Sequence, residues 1–270
     1  MCEVFLVSRS GYYDWLNRSP SSRSARHQAL VERIKQLHKA CFEIYGSPRI
    51  HCDLVAEGEA IGVNTVAMLM KRNNIRSKVH KRFVLTTNSR HSLAIAPNLL
   101  ERDFETTKPN EKWVSDVTFI PTRQGWLYLA TVMDLFSRTI VGWSMGTSNS
   151  TGLVSNALKA ALDQRGDVSG VILHSDRGSN YASIDYQKML IRYNIIPSMS
   201  RKGDCWDNAV MESFYHSLKT EWMNFEDYLT RDEARSSLFA YIEMFYNRRR
   251  RHSSLNYMTP VSYEEEMCPS

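Results

Sequence analysis

The sequence has no CxxC pair. Its five cysteines, Cys2, Cys41, Cys52, Cys205 and Cys268, are odd in number and scattered, which argues against a disulfide framework and against a zinc ribbon. His38, Cys41, His51 and Cys52 lie close along the chain, but adjacent residues such as His51 and Cys52 rarely ligate one ion, so no zinc site is expected there. No apolar run reaches the length of a membrane span, and the N-terminus lacks the apolar stretch of a signal peptide. A heptad run long enough for a coiled coil is also missing. These absences point to a reducing cytoplasm and to no membrane partner.

Acid is scarce in the first third. Residues 1–100 hold 15 Lys+Arg against 7 Asp+Glu, whereas the remaining 170 hold 19 against 22. A basic module joined to a near-neutral domain binds a polyanion by default, and nucleic acid is the commonest one. Between Lys71 and Ser92 there are seven Lys+Arg and no acid. Lys71, Arg72, Arg76, Lys78, Lys81 and Arg82 are therefore candidate phosphate contacts.

Patterning divides the chain. Residues 1–25 read as a helical stub that Ser8 can cap, resembling the end of a helical module. Residues 26–82 read as a small all-α domain. Leu30, Ile34, Leu37 and Cys41 recur at helical spacing, and Ser47-Pro48 supplies a cap with proline at the first helical position. Asn64 or Thr65 then starts a third helix bearing Val66, Leu69 and Met70. A short helix, a glycine-containing turn and another helix are the parts of a helix-turn-helix. Residues 83–105 carry few periodic signals and read as a linker.

From Lys112 the period changes. Strands are expected at 113–120, 127–136 and 139–145, a helix at 151–164, a strand at 171–174, a helix at 186–193, a strand at 196–199 and a long helix at 207–222. Thr230 and Glu233 form a capping box for a further helix. The fold class is mixed α/β: a ribonuclease-H-like mixed-sheet catalytic domain over 106–247, preceded by the helix-turn-helix domain. Residues 248–270, basic at Arg248–Arg251 and acidic at Glu264–Glu266, read as a tail.

Three acids fall where such a fold gathers side chains. Asp116 is central in the first strand, Asp176 follows the fourth, and Glu212 lies on the long helix. Asn208, Glu212, His216 and Lys219 share one face of that helix. Carboxylates close together oppose one another's ionisation, and a divalent cation reverses that cost. Hard oxygen ligands suit Mg²⁺ or Mn²⁺. Two such ions about 4 Å apart would activate the attacking oxygen and stabilise the leaving one in an in-line displacement at phosphorus. Among the neighbours, Asp134 reads as structural. His174 reads equally as a packed residue or a DNA contact, and Asp207 or Asn208 as the cap of the glutamate helix.

Thirty-five residues separate Asp176 from Glu212, which resembles the D,D-35-E motif of retroviral integrases and many insertion-sequence transposases. Trp113–Thr118, Met133–Arg138, His174–Tyr181, Ser200–Gly203 and Cys205–Ala209 resemble the words around those acids. With Tyr45–Ile50 and the tail Tyr246–Leu255, the chain is similar over nearly its whole length to the second-frame (OrfB) transposases of the insertion-sequence family IS3. The resemblance implies that Asp116, Asp176 and Glu212 are catalytic and bind two Mg²⁺ or Mn²⁺ ions, and that Lys219 touches DNA. It implies double-stranded DNA as partner, both transposon ends and target, and a homo-oligomer on that DNA. It further implies a separate upstream-frame protein with a helix-turn-helix and coiled coil, joined by frameshift fusion, and a nucleoid-associated life in a bacterial cytoplasm. The expected activity is 3′-end cleavage followed by strand transfer. The rival readings are a ribonuclease-H-like nuclease that cuts without joining and a non-catalytic DNA-binding protein.

Overall fold

The computed structural model of the protein describes residues 8–19, 21–79, 95–201 and 205–268. The chain divides into two compact units, 1–79 and 80–270.

The first unit is helical, with α1 (Arg9–Asn17), α2 (Ser22–Ala40), α3 (Ser47–Ala56) and α4 (Val63–Arg72). Ser8 and Ser21 cap α1 and α2 by accepting from the backbone N–H of Gly11 and Ser24. Ser47 is not a cap. It is the first residue of α3, Gly46 holds the cap position without a side-chain bond, and Pro48 sits in the first turn where a missing N–H is no loss. Ile34, Ile50, Leu54 and Val66 are fully buried, so residues read at helical spacing do form the core. The turn between α3 and α4 is fastened from outside. Arg33 Nε reaches Glu57 at 2.7 Å, Arg26 Nη2 reaches the Ala60 carbonyl at 3.0 Å, and His51 Nε2 shares a hydrogen bond with the Ile61 carbonyl at 2.9 Å. Helix α1 buries none of its residues, and Tyr13, Trp15 and Leu16 are exposed.

The second unit is built on a mixed sheet of β1 (Lys112–Ile120), β2 (Leu127–Asp134), β3 (Ile140–Gly146), β4 (Ile172–Ser175) and β5 (Ile196–Met199), in the order β3-β2-β1-β4-β5. β1 to β3 form an antiparallel meander, and β4 and β5 add parallel to β1. Helices α5 (Thr151–Arg165), α6 (Ile184–Arg192), α7 (Ala209–Glu221) and α8 (Arg231–Phe239) follow in the expected sequence, and α8 runs on into a π-helical stretch, Ala240–Tyr246. Thr230 and Glu233 form the capping box of α8. Helix α5 rides directly on β3, because a Cβ at Gly142 would stand 2.4 Å from the Ala157 carbonyl oxygen and the Ala161 nitrogen. Only glycine permits that approach.

The two stretches read as linker and tail are packed where described. Leu100 is buried, and the backbone N–H of Leu99 and Leu100 donate to Ser198 Oγ at 2.9 and 3.3 Å. Beyond 247, Leu255 is buried and α9 (Pro260–Met267) packs on the turn after β2, where the Tyr263 and Phe136 rings lie 5.3 Å apart. Glu264, expected as solvated, accepts from Ser137 at 2.7 Å and from Arg165. Nor is Arg250 a surface cation: it lies buried against Glu221 with two bonds of 2.6 Å. Asp134 is fully buried and accepts from the backbone N–H of Asn110 and Phe136, a structural role.

Candidate active site

Asp116 sits at the middle of the central strand, where the antiparallel and parallel halves of the sheet meet. Its Oδ1 accepts from the Val117 N–H at 2.8 Å. Asp176 stands just past β4, the strand beside β1, so sheet topology alone brings the two aspartates together. Its Oδ1 accepts from the Gly178 N–H at 2.8 Å. Glu212 is exposed in the first turn of α7. Burial, and then the negative charge of Asp176, push Asp116 up to about 8; Glu212 adds to the rise, while the Val117 N–H and Lys219 oppose it. The charges of Asp176 and Glu212 thus both reach Asp116 and oppose its ionisation.

Helix α7 is held over β1 by its apolar side and by one tyrosine. Met211, Phe214 and Leu218 are buried. Tyr215 OH donates to the Asp116 carbonyl at 2.6 Å and shares a hydrogen bond with Thr131 Oγ1 at 2.8 Å. Ser115 Oγ donates to the Thr131 carbonyl at 2.9 Å and meets Tyr181 OH at 3.0 Å. Tyr215 thus holds the backbone of Asp116 and Tyr181 the side chain of the neighbouring Ser115, roles not read from the sequence. Lys219 lies two turns along α7 from Glu212, half-buried; burial lowers its affinity for a proton, and the charge of Asp116 resists this.

Asp207 is not the cap of α7; Asn208 holds the cap position, without a side-chain capping bond. The Asp207 carboxylate accepts instead from Asn98 Nδ2, the Arg201 N–H, and the guanidinium groups of Arg201 and Arg102 at 2.8–3.2 Å. Burial alone would raise it, but the hydrogen bonds and charge of the two arginines bring it down to about 2. It ties the approach to α7 onto the core, and the chain enters α7 through a 3₁₀ turn, Cys205–Asn208. His174 is fully buried, with Nδ1 at 2.8 Å from Ser198 Oγ. Burial depresses it to about 4 against the pull of Asp207's charge, so it is a packed, neutral histidine and not a DNA contact.

Gly178 has a structural reason to be glycine. A Cβ there would stand 2.9 Å from Asp176 Oδ1, so Gly178→Ala must displace the carboxylate that its own N–H holds. Small misplacements of reacting groups cost about 100-fold. We expect Gly178→Ala to lower the activity of this site roughly 10- to 100-fold with an unchanged melting temperature. A melting temperature that falls along with the rate would show that Gly178 serves the fold instead.

The predicted DNA contacts of the first unit are distributed at and after the end of α4. Lys71, Arg72 and Arg76 are exposed and Lys78 is half-buried; Lys81 and Arg82 lie outside the described residues, as do residues 202–204. Among the described residues, no group of three or more His, Cys, Asp or Glu is already close enough to hold a metal ion. The donor chemistry nonetheless fits a hard cation. Asp116 on β1 and Asp176 just past the neighbouring β4 offer hard oxygen donors, the charges of Asp176 and Glu212 both act on Asp116, and Glu212 lies in the first turn of α7.

The mixed five-stranded sheet that carries these carboxylates is that of an integrase-core protein. Residues 106–205 and 193–260 each match a family described as integrase core domain, and residues 25–83 match an HTH-like domain. The fold is shared with a solved structure of a simian T-cell lymphotropic virus intasome in complex with a PP2A regulatory subunit, at 15% identity and a TM-score of 0.51 over 86% of this chain and 74% of that one. The HTLV-2 integrase catalytic core domain in complex with magnesium is 18% identical, with a TM-score of 0.43 over 58% of this chain and 97% of that one. Among curated proteins, the chain is 43% identical to the insertion element IS600 31 kDa protein of Shigella sonnei over 98% of both chains. It is 42% identical to transposase InsF of insertion sequence IS3A of Escherichia coli, over 98% of this chain and 93% of that one. The chain belongs to the IS3 family of insertion-sequence transposases.

Proposed function

We propose that the chain is a DNA transposase that cleaves the 3′ ends of an insertion sequence and transfers them to new phosphodiesters. What supports this reading is that the charges of Asp176, Glu212 and Lys219 all act on Asp116 at the centre of an integrase-type sheet. Asp116, Asp176 and Glu212 would hold Mg²⁺ or Mn²⁺, two ions per site. When bound, these supply Lewis-acid activation of the attacking oxygen and of the phosphate. In the first step water attacks phosphorus and the P–O3′ bond breaks, leaving a 3′-hydroxyl. In the second that hydroxyl attacks another phosphorus and a second 3′-oxygen leaves, so neither step needs a covalent link to protein. Lys219 neutralises a phosphate oxygen at the site, while Tyr215 keeps the Asp116 backbone from shifting as charge builds. Purified chain, Mg²⁺ and labelled ends of the flanking element should give both a shortened strand and, from a pre-nicked end, a joined product. Cutting without joining would leave only a nuclease.

Residues 26–82 serve as the DNA-binding domain in this reading and 106–247 as the catalytic one. Six basic residues at phosphates give a salt slope of about −5, hence roughly a 10³-fold loss of affinity between 50 and 200 mM salt. A fragment of residues 1–92 should show that loss in an anisotropy titration, and a fragment beginning near residue 95, which keeps the packed Asn98–Arg102 stretch, should bind DNA weakly at either salt. Equal affinities for the two fragments at moderate salt would remove the division of labour.

A transposase must hold two ends at once. We infer that a frameshift fusion to an upstream helix-turn-helix and coiled-coil protein supplies this pairing, that the active form is a homo-oligomer on DNA, and that it works at the bacterial nucleoid. Among the described residues, no helix is long and apolar enough to cross a membrane. A gel shift with two labelled ends should give paired complexes with the fused form and few with this chain alone. Specific paired complexes from the isolated chain would refute the dependence.

A further inference from the structure

Two large aromatic side chains are exposed next to the carboxylate site, and nothing described so far uses them. Phe119 closes the outer end of β1 and is 44% exposed; Trp126 precedes β2 and is 49% exposed. Their rings meet nearly at right angles, 84°, with centroids 5.0 Å apart, so the phenyl group props the indole upright. Lys219 Nζ stands 5.3 Å from the centre of the Phe119 ring, and its charge acts on Asp116. A cation and an aromatic pair thus lie side by side at the edge of the site.

The hairpin that carries Trp126 is fixed before any ligand arrives. Thr122 and Gly125 exchange backbone hydrogen bonds at 3.2 and 3.0 Å, and the Arg123 N–H donates to the Tyr228 carbonyl at 3.0 Å. At the start of α8, the Arg231 N–H donates to Gln124 Oε1 at 3.1 Å and Arg231 Nε donates to the Trp126 carbonyl at 3.2 Å. A platform fixed in this way loses little conformational freedom on binding. Its charge matches a nucleotide: a positive group for phosphate and a flat apolar face for the adjoining base.

We propose that Trp126, braced by Phe119, stacks an unpaired base next to the phosphate that Lys219 contacts, so that the protein holds a frayed DNA end rather than an intact duplex. The proposal rests on the transposase reading for its substrate. It adds that the end is opened and that these residues hold it open. Every base has a π-face, so the platform accepts any base and rewards unpairing, not sequence.

The test uses the full chain without divalent metal, so that no strand is cut. Affinity is measured by anisotropy for a duplex end with three unpaired nucleotides, for the same end with abasic residues in the unpaired stretch, and for a fully paired end. Stacking contributes about 1–3 kcal/mol per base, so wild-type protein should prefer the base-bearing fork over the abasic one by roughly 5- to 150-fold. Trp126→Ala and Phe119→Ala should bring that ratio close to one, while affinity for the paired end and the melting temperature stay unchanged. Trp126→Phe should keep most of the preference. A wild-type ratio near one would overturn the proposal, as would a ratio that survives Trp126→Ala or an equal loss on all three DNAs. A chain that shows the ratio but joins no ends supports the platform and counts against the transposase reading, so the two fail separately.

Discussion

Asp116→Asn, Asp176→Asn and Glu212→Gln should each abolish end cleavage and joining. Each swap keeps the shape of the side chain and removes a charge that would hold a divalent cation. The stabilisation of transition-state charge at stake is several kcal/mol, and every 1.4 kcal/mol or so is a factor of ten. The expected drop is therefore about 10³-fold or more, with folding and DNA binding largely retained. The same substitutions have a signature in stability. An unfolded aspartate titrates near 4, whereas burial and the charge of Asp176 hold Asp116 at about 8 in the folded protein. The folded state thus keeps a proton that the unfolded state releases. The stability this group lends is fully present below about pH 4 and is lost as pH rises to about 8. Metal-free wild-type protein should lose melting temperature over that window, Asp116→Asn should lose less, and Mn²⁺ should restore more at pH 8 than at pH 5.5. Near wild-type joining in Mg²⁺ by any one variant would remove that residue from the site. A metal-free melting temperature equally flat in wild type and Asp116→Asn would refute the electrostatic account.

Arg250→Met should be the most damaging change in the second unit outside the acids. Arg250 and Glu221 are both buried and meet through two hydrogen bonds of 2.6 Å, and Arg250 Nη2 also donates to Ser217 Oγ at 3.0 Å. Burial works against the charge of Arg250, and Glu221 more than offsets it. Removing one partner strands the other charge in the interior, at a cost of about 3–5 kcal/mol. A unit of this size loses roughly 2–4 °C per kcal/mol, so a fall of about 10 °C is expected. Because Ser217 and Glu221 belong to α7, joining should fall too. Replacing both partners, as in Arg250→Met with Glu221→Leu, should recover most of the loss, since an apolar pair leaves no stranded charge. If Arg250→Met melts with the wild type but loses DNA affinity, the arginine is a phosphate contact and not a buried structural cation.

How far the sequence reached depended on the range of the interaction. Short-range signals were legible. Ile196–Met199 is the strand expected, Ser8 caps α1, and the Thr230–Glu233 capping box is in place. The acids could be found because their carriers, a central strand, a strand end and a helix face, are each marked by apolar periodicity. Side chains with distant partners could not. Asp207 resembles a cap in sequence because it precedes a helix. Its carboxylate is taken by Asn98 and Arg102, more than a hundred residues upstream, together with Arg201. Arg250 sits in a run of four arginines, and no local pattern says that one of them turns inward to Glu221 while its neighbours do not.

The sequence by itself determined the order of strands and helices, the basic first third and the spacing of three carboxylates. Those follow from backbone periodicity and composition, which are properties of neighbours in the chain. The tertiary structure decided which charges are buried together. It set the elevated proton affinity of Asp116, the role of Tyr215 beneath it, the anchoring of residues 95–103 and 248–267 onto the core, and the aromatic pair at the rim. Each depends on burial and on the distance between groups remote in sequence, and both quantities exist only once the chain has folded.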